Sequence, residues 1–257
     1  MGDIATQLSG VAVHRGTAAR STAVLQDLSL QVERNQIVAI LGASGKGKTT
    51  LLHAVAGLLP LAAGTVEHNL TKSKLETGLV FQKPLLLPWL TVLENVQLGF
   101  RFAKNRKTLG LTAQQQKARV EELLNVLGIS ELAQRKVSDL SGGQAQRVAI
   151  ARTIVLQPSL LLLDEPFSAL DAATRKELQQ WLLDLRRKLG LTVILVTHDI
   201  DEAFELADRI LVLGPLGTAP TEFAISELKI ATSITKAAQP KLDQTKQLII
   251  QKLKENK

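Results

Sequence analysis

The chain has 257 residues, enough to bury a sizeable hydrophobic core as one large domain or two small ones. Its apolar fraction of 45% and charged fraction of 21% are those of an ordinary soluble globular protein. The chain has no cysteine, which excludes a disulfide framework and a thiolate metal site, and it has no apolar stretch of the roughly 18 residues that a membrane span needs. The charge of +7 suits an anionic ligand or an anionic membrane surface.

The first part of the chain reads as strands that lead to a glycine-rich loop. Leu8–Val13 and Leu28–Val32 alternate apolar and polar residues and are predicted strands, with the polar stretch His14–Thr22 as a loop between them. Ile37–Leu41 is a continuous apolar run suited to a buried strand, and Thr49–Ala56 is the helix predicted after it.

The stretch between that strand and that helix has the spacing G-x-x-x-x-G-K-[ST] of a phosphate-binding loop. Its residues are Gly42, Ala43, Ser44, Gly45, Lys46, Gly47, Lys48, Thr49 and Thr50. A loop in this position can aim backbone N–H groups at one anion, with the positive end of the helix dipole behind them. Lys48 is expected to reach the β- and γ-phosphates of a nucleotide, and the Thr49 hydroxyl to bind Mg²⁺. The alternative, a glycine-rich turn with a solvated lysine, does not explain why a strand, the loop and a helix follow in this order.

Two further predicted strands, Thr65–Val66 and Gly78–Phe81, lead into the apolar segment Gln82–Trp89, which two prolines interrupt. Such a segment is a poor helix or central strand and is predicted to be a surface loop. Its leucines and tryptophan either face a partner or fold back onto the chain's own core, and composition alone does not choose between the two.

The middle of the chain is nearly free of strand patterns and is predicted to be a helical lobe. Leu90–Phe102 and Thr112–Leu127 are predicted helices, the second with Thr112 as its N-cap. Leu140–Gln144 then leads into a predicted helix over Ala145–Leu156. The serine and glycines before this helix permit a second anion-binding helix N-terminus.

Acidic residues and a histidine follow two predicted buried strands. Asp164 ends an apolar run, where its carboxylate can hold Mg²⁺, and Glu165 beside it can act as the general base for an attacking water. The alternative is that this acidic pair only caps the next helix. Thr192–Thr197 ends at His198, which can contact a γ-phosphate or the attacking water. Strands that alternate with helices and carry polar residues at their carboxyl ends predict an α/β parallel sheet.

Together these motifs resemble the nucleotide-binding subunit of an ABC transporter, over roughly Leu8 to Leu213. They follow the family's order: the Walker A loop Gly42–Thr50, the Q-loop at Gln82, the signature Leu140–Gln144, the Walker B strand Leu160–Asp164 with Glu165, the D-loop Ser168–Asp171 and the H-loop at His198. The resemblance implies an α/β P-loop NTPase (RecA-like) fold, a parallel sheet core with an inserted α-helical subdomain and an antiparallel β edge. It implies an ABC ATPase domain over residues 1–214, with its core in 1–89 and 153–214, its helical subdomain in 90–152, and an extension in 215–257.

The same resemblance implies roles for these residues toward ATP and Mg²⁺. Two copies would sandwich two ATP molecules, each bound by one subunit's Walker A loop and the other subunit's Ser141, Gly142, Gly143 and Gln144. Gln82 would join Thr49 and Asp164 as a Mg²⁺ ligand, and Asp171 would link the two sites across the dimer. The catalytic residues implied are Glu165, His198 and Lys48.

The sequence Leu-Leu-Pro-Trp at Leu86–Trp89 resembles importers of nitrate, sulfonates and taurine. That family docks a membrane subunit beside the Q-loop, so the resemblance favours a partner-facing Gln82–Trp89. It implies a peripheral protein on the cytoplasmic face of the membrane, working with transmembrane permease subunits, a second ATP-binding subunit and a solute-binding protein, and not with nucleic acid. The alternatives are an importer of another solute, such as a thiamine precursor, and a soluble ABC ATPase acting on nucleic acid or ribosomes.

Three positions depart from the family's pattern. Members usually stack the adenine on an aromatic residue upstream of Walker A, often a tyrosine, whereas this chain has no tyrosine and His14 is the nearest candidate. Lys46 occupies a position that is more often small and is expected to point into solvent. Ala145 stands where Gln or Arg is more usual.

The tail beyond about Pro215 does not follow the family closely. Phe223 and Ile225 indicate one more strand. The apolar residues of a basic C-terminal helix share one face, namely Leu242, Ile249, Ile250 and Leu253. This face either packs on the core, touches acidic lipid headgroups or mediates dimerisation.

Overall fold

The structure, a computed structural model, describes residues 3–17, 20–69, 75–102, 109–229 and 239–256. It divides into two compact units, one made of residues 1–69 and 192–257 and the other of residues 70–191. Within the described ranges, no helix is both long enough and apolar enough to cross a membrane.

The first unit is built on two sets of strands. In one set, β1 (Ile4–Thr17), β2 (Arg20–Glu33) and β4 (Ala63–His68) form an antiparallel sheet in the order β2-β1-β4. In the other, β3 (Ile37–Leu41) pairs in parallel with both β7 (Val193–Val196) and β8 (Arg209–Val212), and β9 (Thr221–Ala224) pairs antiparallel with β8. Its helices include α1 (Lys48–Val55), α6 (Ile200–Leu206) and α7 (Gln239–Glu255).

The buried strands of this unit explain where its phosphate-binding loop lies. All five residues of β3 and all four of β7 are buried and apolar, as expected for parallel strands covered on both faces. The strand prediction for Ile37–Leu41 is confirmed, and α1 begins one residue before the predicted helix. The glycine-rich loop therefore joins a rigid buried strand to a helix.

The second unit combines two parallel strands with helices. β5 (Leu75–Val80) pairs in parallel with β6 (Pro158–Asp164). The helices are α2 (Val92–Arg101), α3 (Ala113–Val126), α4 (Gly142–Ile154) and α5 (Ala172–Leu189), with short 3₁₀ turns at Ser130–Leu132 and Val137–Asp139. The mixture of helices with parallel and antiparallel strands in the two units confirms the predicted α/β class.

Local sequence signals fix where these helices begin. α2, α3 and α4 each start with a capping box, in which a Ser or Thr side chain and a Glu or Gln side chain satisfy each other's backbone amides. The pairs are Thr91 with Glu94, Thr112 with Gln115, and Ser141 with Gln144. The predicted N-cap at Thr112 is therefore confirmed.

Two boundary predictions are wrong. His14–Thr22 is not a loop over most of its length, because β1 and β2 continue into it with His14 opposite Ala23, Arg15 opposite Thr22 and Gly16 opposite Ser21. This end of the hairpin is exposed and its side chains are polar, so it lacks the apolar alternation that predicts a strand. The helix predicted over Ala145–Leu156 begins earlier, at Gly142, because the Ser141 capping box starts it. The predicted connector at Lys104–Leu111 lies mostly outside the described residues.

The C-terminal helix packs on its own unit. Ile249 of α7 is buried, the Lys246 ammonium pairs with the Asp201 carboxylate of α6, and the Asn256 amide donates to the Leu213 carbonyl at 3.4 Å. Of the three alternatives for the apolar face of this helix, packing on the core is therefore the one observed. The strand indicated by Phe223 is β9, and the buried Ile225 follows it.

Candidate functional site

The loop between β3 and α1 is shaped to surround an anion. Gly45 and Gly47 have φ angles of 82° and 86°, in the left-handed region that favours glycine. A Cβ on Gly47 would lie 2.9 Å from Leu25 Cδ2 and 3.1 Å from the Val24 carbonyl oxygen, whereas one on Gly45 would meet no atom within 4 Å. Glycine is thus required at position 47, both for its left-handed φ angle and because a Cβ would have no space. The open side of Gly45 leaves room for a ligand to approach.

Lys48 is held inside this loop. Its side chain is 7% exposed, and its ammonium donates to the Gly42 carbonyl at 2.7 Å and to the Ala43 carbonyl at 3.1 Å. The N-cap of α1 is Gly47, which has no side chain to accept from the first-turn amides, unlike the capping residues of α2, α3 and α4. A buried cation at a helix N-terminus of this kind suits a phosphate group.

The other predicted site residues of the first unit lie on three different elements. His198 is exposed and follows β7, directly before Asp199, which caps α6. Thr49 is exposed in the first turn of α1. His14 is exposed on β1, with its Nδ1 3.2 Å from the Ser21 hydroxyl on β2, so its ring is held by a cross-strand contact.

Lys46 is half-buried, and the expectation that its side chain points into solvent stays a prediction. It lines a cavity of about 300 Å³ together with residues 22–26 and 28 at the β2 edge, Gly45, and residues 213–218 and 220 after β8.

In the second unit Glu165, which follows Asp164 at the end of β6, is joined to Gln82. Asp164 ends β6 and is 7% exposed. The Gln82 amide nitrogen donates to the Ser168 hydroxyl at 3.1 Å and lies 3.5 Å from Glu165 Oε2. The Ser168 hydroxyl in turn donates to the Glu165 carbonyl at 3.0 Å. Glu165 has a φ of 44°, a costly conformation for a residue other than glycine, so these bonds hold its carboxylate on a strained turn.

The signature residues form the start of α4. Ser141 is the N-cap, with its hydroxyl accepting from the Gln144 amide at 3.3 Å and the Gln144 side chain accepting from the Ser141 amide at 3.0 Å. A Cβ on Gly143 would lie 2.6 Å from Thr174 Cγ2, and one on Gly142 would lie 3.2 Å from Leu170 Cδ2. Gly143 is needed because α4 and the start of α5 approach each other closely there, and Gly142 has little space beside Leu170.

Asp171 caps α5. Its carboxylate accepts from the amides of Ala173 and Thr174, each at 3.1 Å. Side-chain and backbone hydrogen bonds from Thr174, followed by the Ala173 amide, hold the pKa of Asp171 below its ordinary value. The carboxylate is therefore kept charged at the start of this helix.

The segment Gln82–Trp89, which we call the docking segment after the role that the resemblance implies for it, has no helix or strand. Leu85 is 56% exposed and Trp89 is 68% exposed. These two side chains do not fold back onto the core, whereas Leu86 and Leu87 are half-buried.

Two polar residues that sequence reasoning missed support the docking segment. Asn95 of α2 is fully buried and exchanges hydrogen bonds with the backbone of Leu87. Arg152 of α4 donates to the backbone carbonyls of Pro84 and Leu85. The available signal was an amide on the buried face of α2, whose other members include Val92 and Val96.

Comparisons with known proteins agree with these motifs. Residues 25–168 match the ABC transporter family. The chain is 46% identical to an aliphatic sulfonates import ATP-binding protein of Xanthomonas axonopodis pv. citri. The match extends over 210 residues, which are 80% of this chain and 81% of the relative. It is 41% identical to a taurine import ATP-binding protein of Jannaschia sp., over 76% of this chain and 72% of the relative.

Solved structures extend the comparison to the fold. A dimeric bacterial ABC transporter cassette matches with a TM-score of 0.69 and 30% identity, over 86% of this chain and 98% of the cassette. The same cassette has also been solved in a post-hydrolysis dimeric state bound to ADP and Pi. The α/β P-loop NTPase fold expected from the sequence is confirmed.

Proposed function

Because the chain belongs to the ABC transporter family and is an ATP-binding, ATP-hydrolysing cassette, we propose that it energises import of a small solute of the sulfonate or taurine type through separate membrane subunits. The observation that carries this proposal is the phosphate-binding loop, where Lys48 is buried against the Gly42 and Ala43 carbonyls. The relatives' printed names support the direction of transport and the solute class. Nitrate belongs to the same proposed range of solutes.

The residue types predicted for the site suit ATP with Mg²⁺. The loop amides and Lys48 would hold the phosphates, with His198 toward the γ-phosphate and His14 toward the adenine. The Thr49 hydroxyl, the Asp164 carboxylate and the Gln82 side-chain carbonyl are oxygen ligands of the kind that Mg²⁺ prefers. The Gln82 nitrogen is directed to Ser168 and Glu165, which leaves Oε1 as the atom suited to a cation. When bound, Mg²⁺ neutralises charge on the phosphates.

We assign Glu165 as the general base. Its carboxylate would accept a proton from the attacking water, and the hydrogen-bonded turn with Ser168 would keep that carboxylate in place. Most of the rate enhancement would come from positioning and from electrostatic stabilisation of the transferred phosphoryl group.

The assembly we propose contains two copies of this chain. Each ATP would lie between one copy's Walker A loop and the partner copy's Ser141–Gln144, with Asp171 linking the two sites. Each copy would comprise the core and the helical subdomain over 90–152. Permease subunits would contact the docking segment through Leu85 and Trp89, and a solute-binding protein would deliver the solute. This assembly would keep the chain on the cytoplasmic face of the membrane, away from nucleic acid.

A pull-down from solubilised membranes tests the proposal, with the Glu165→Gln variant held with ATP as bait. We expect recovery of a multi-span membrane protein, and the same bait with Leu85→Ser and Trp89→Ser is the matched control that should lose it. Recovery of ribosomes or nucleic acid instead would overturn the transporter assignment and support the rival soluble ATPase.

A further inference from the structure

Residues 84–87 of the docking segment are held through their backbone. Asn95 of α2 accepts from the Leu87 amide at 2.9 Å and donates to the Leu87 carbonyl at 3.1 Å. Arg152 of α4 donates from Nη1 to the Leu85 carbonyl at 2.9 Å and from Nη2 to the Pro84 carbonyl at 3.0 Å. Helices α2 and α4 of the second unit therefore both form hydrogen bonds with the same irregular segment.

Burying the charged Arg152 guanidinium costs free energy, which argues that its contact with the docking segment has a function. Burial lowers the pKa of the Arg152 guanidinium from its ordinary value, but the group stays charged at any physiological pH. A charged donor makes stronger hydrogen bonds than a neutral one, and the planar fork fixes two carbonyls at once. One of these carbonyls belongs to Leu85, whose φ of 47° is rare for a residue with a side chain.

The same helix carries the signature residues at its other end. α4 runs from Gly142 to Ile154, so its first turn holds the Ser141–Gln144 capping box and its last turn holds Arg152. Ten residues of α-helix at 1.5 Å each separate the two, a rigid rod of about 15 Å. A shift of the Pro84–Leu85 backbone would therefore act on the far end of the signature helix.

We propose that Arg152 is a positioning residue that transmits permease engagement of the docking segment to the signature residues through α4. The Arg152 fork holds the Pro84 and Leu85 carbonyls, and the helix carries their displacement to Ser141–Gln144. This inference rests on the proposed function, because it assigns the docking segment to a permease. Asn95 fixes the neighbouring Leu87 to α2, so the segment moves with both helices rather than as a free loop.

Arg152→Lys is the variant that tests the link. Lysine keeps the charge and much of the length but cannot offer the planar two-carbonyl fork. The complete transporter is reconstituted in vesicles, and ATP hydrolysis is measured with and without solute, beside hydrolysis by the isolated protein. We expect the isolated variant to keep its kcat and its KM for ATP within twofold, and solute-stimulated hydrolysis to fall at least fivefold.

Arg147→Lys is the matched control. Arg147 lies on the same helix, but its guanidinium contacts Glu177 at 2.6 Å and the Trp181 ring at 5.4 Å rather than the docking segment. This control should keep the ratio of stimulated to basal hydrolysis within twofold of wild type. Equal ratios in Arg152→Lys and wild type, or a parallel fall in basal and stimulated rates, would overturn the proposal.

Hydrogen exchange supplies a readout that does not depend on activity. In the wild-type complex, permease binding should change the exchange of the amides in the first two turns of α4, and Arg152→Lys should abolish that change while still binding the permease. An unchanged response in the variant contradicts the proposed link. Failure of the wild-type protein to bind any permease would instead contradict the proposed function, so the two failures are distinguishable.

Discussion

The side-chain amide of Gln82 donates a hydrogen bond to the hydroxyl of Ser168 at 3.1 Å. The residue that opens the docking segment is thereby joined to the turn that follows β6, because Ser168 also binds the Glu165 carbonyl. A displacement of Gln82 would reach Glu165 through these hydrogen bonds, with no helix or strand between the two residues. This short chain of bonds gives the second unit a direct route from its exposed segment to the acidic residue assigned as the base.

Replacing Glu165 with Gln should separate ATP binding from hydrolysis. The amide keeps the size of the side chain but cannot accept a proton from water, so turnover should fall by about 10²–10⁴-fold, the usual contribution of a general base. Nucleotide affinity, measured by equilibrium binding, should stay near that of wild type. A variant that still hydrolyses ATP at a comparable rate would remove Glu165 from this role.

Replacing Lys48 with Ala should weaken ATP binding far more than replacing Lys46 with Ala. Lys48 is buried in the loop with its ammonium against two loop carbonyls, whereas Lys46 is half-buried beside a cavity. Fluorescent-nucleotide titration of both variants measures the difference. Comparable losses of affinity in the two variants would contradict the assignment of Lys48 as the phosphate-binding lysine.

Gly143→Ala should destabilise the second unit by about 1–3 kcal/mol, the usual cost of overpacking. The added methyl would lie 2.6 Å from Thr174 Cγ2. Adding Thr174→Ser removes the Cγ2 methyl of residue 174 and keeps its hydroxyl. The double variant should therefore regain most of the lost free energy of unfolding, measured in urea. An unfolding midpoint for Gly143→Ala equal to that of wild type would show that α4 and α5 separate easily.

The cap at Asp171 should make stability depend on pH only in acid. Its pKa is lowered in the folded state, so its contribution is fully present above the ordinary value of 3.8 and is lost as pH falls through the folded pKa. Asp171→Asn keeps a capping oxygen but does not titrate, which makes it the matched control. The difference in urea midpoint between the two proteins should be constant at neutral pH and change only below about 3.8. A difference that changes near neutral pH would contradict this assignment.

Local patterns made much of this structure predictable. The strand Ile37–Leu41, the helix after the glycine-rich loop and the N-cap at Thr112 each have a physical cause within a few residues, and each is confirmed. The β1–β2 hairpin end was missed because its pairing is carried by backbone and leaves no pattern in its exposed side chains.

The support of the docking segment was missed for a different reason. Arg152 bonds to carbonyls nearly seventy residues away along the chain, at Pro84 and Leu85. A backbone carbonyl is present at every residue and so leaves no mark in the sequence. Only the arginine was visible, and an arginine near the end of a helix is usually explained by solvent and the helix dipole.

The backbone support of the docking segment also bears on how partner choice can change. Asn95 and Arg152 set the path of residues 84–87 without using the side chains of that stretch. Leu85 and Trp89, the exposed members, can therefore be exchanged for other side chains while the segment keeps its shape. If the segment docks a membrane subunit as proposed, a few surface substitutions would change the partner and leave the ATP-binding residues as they are.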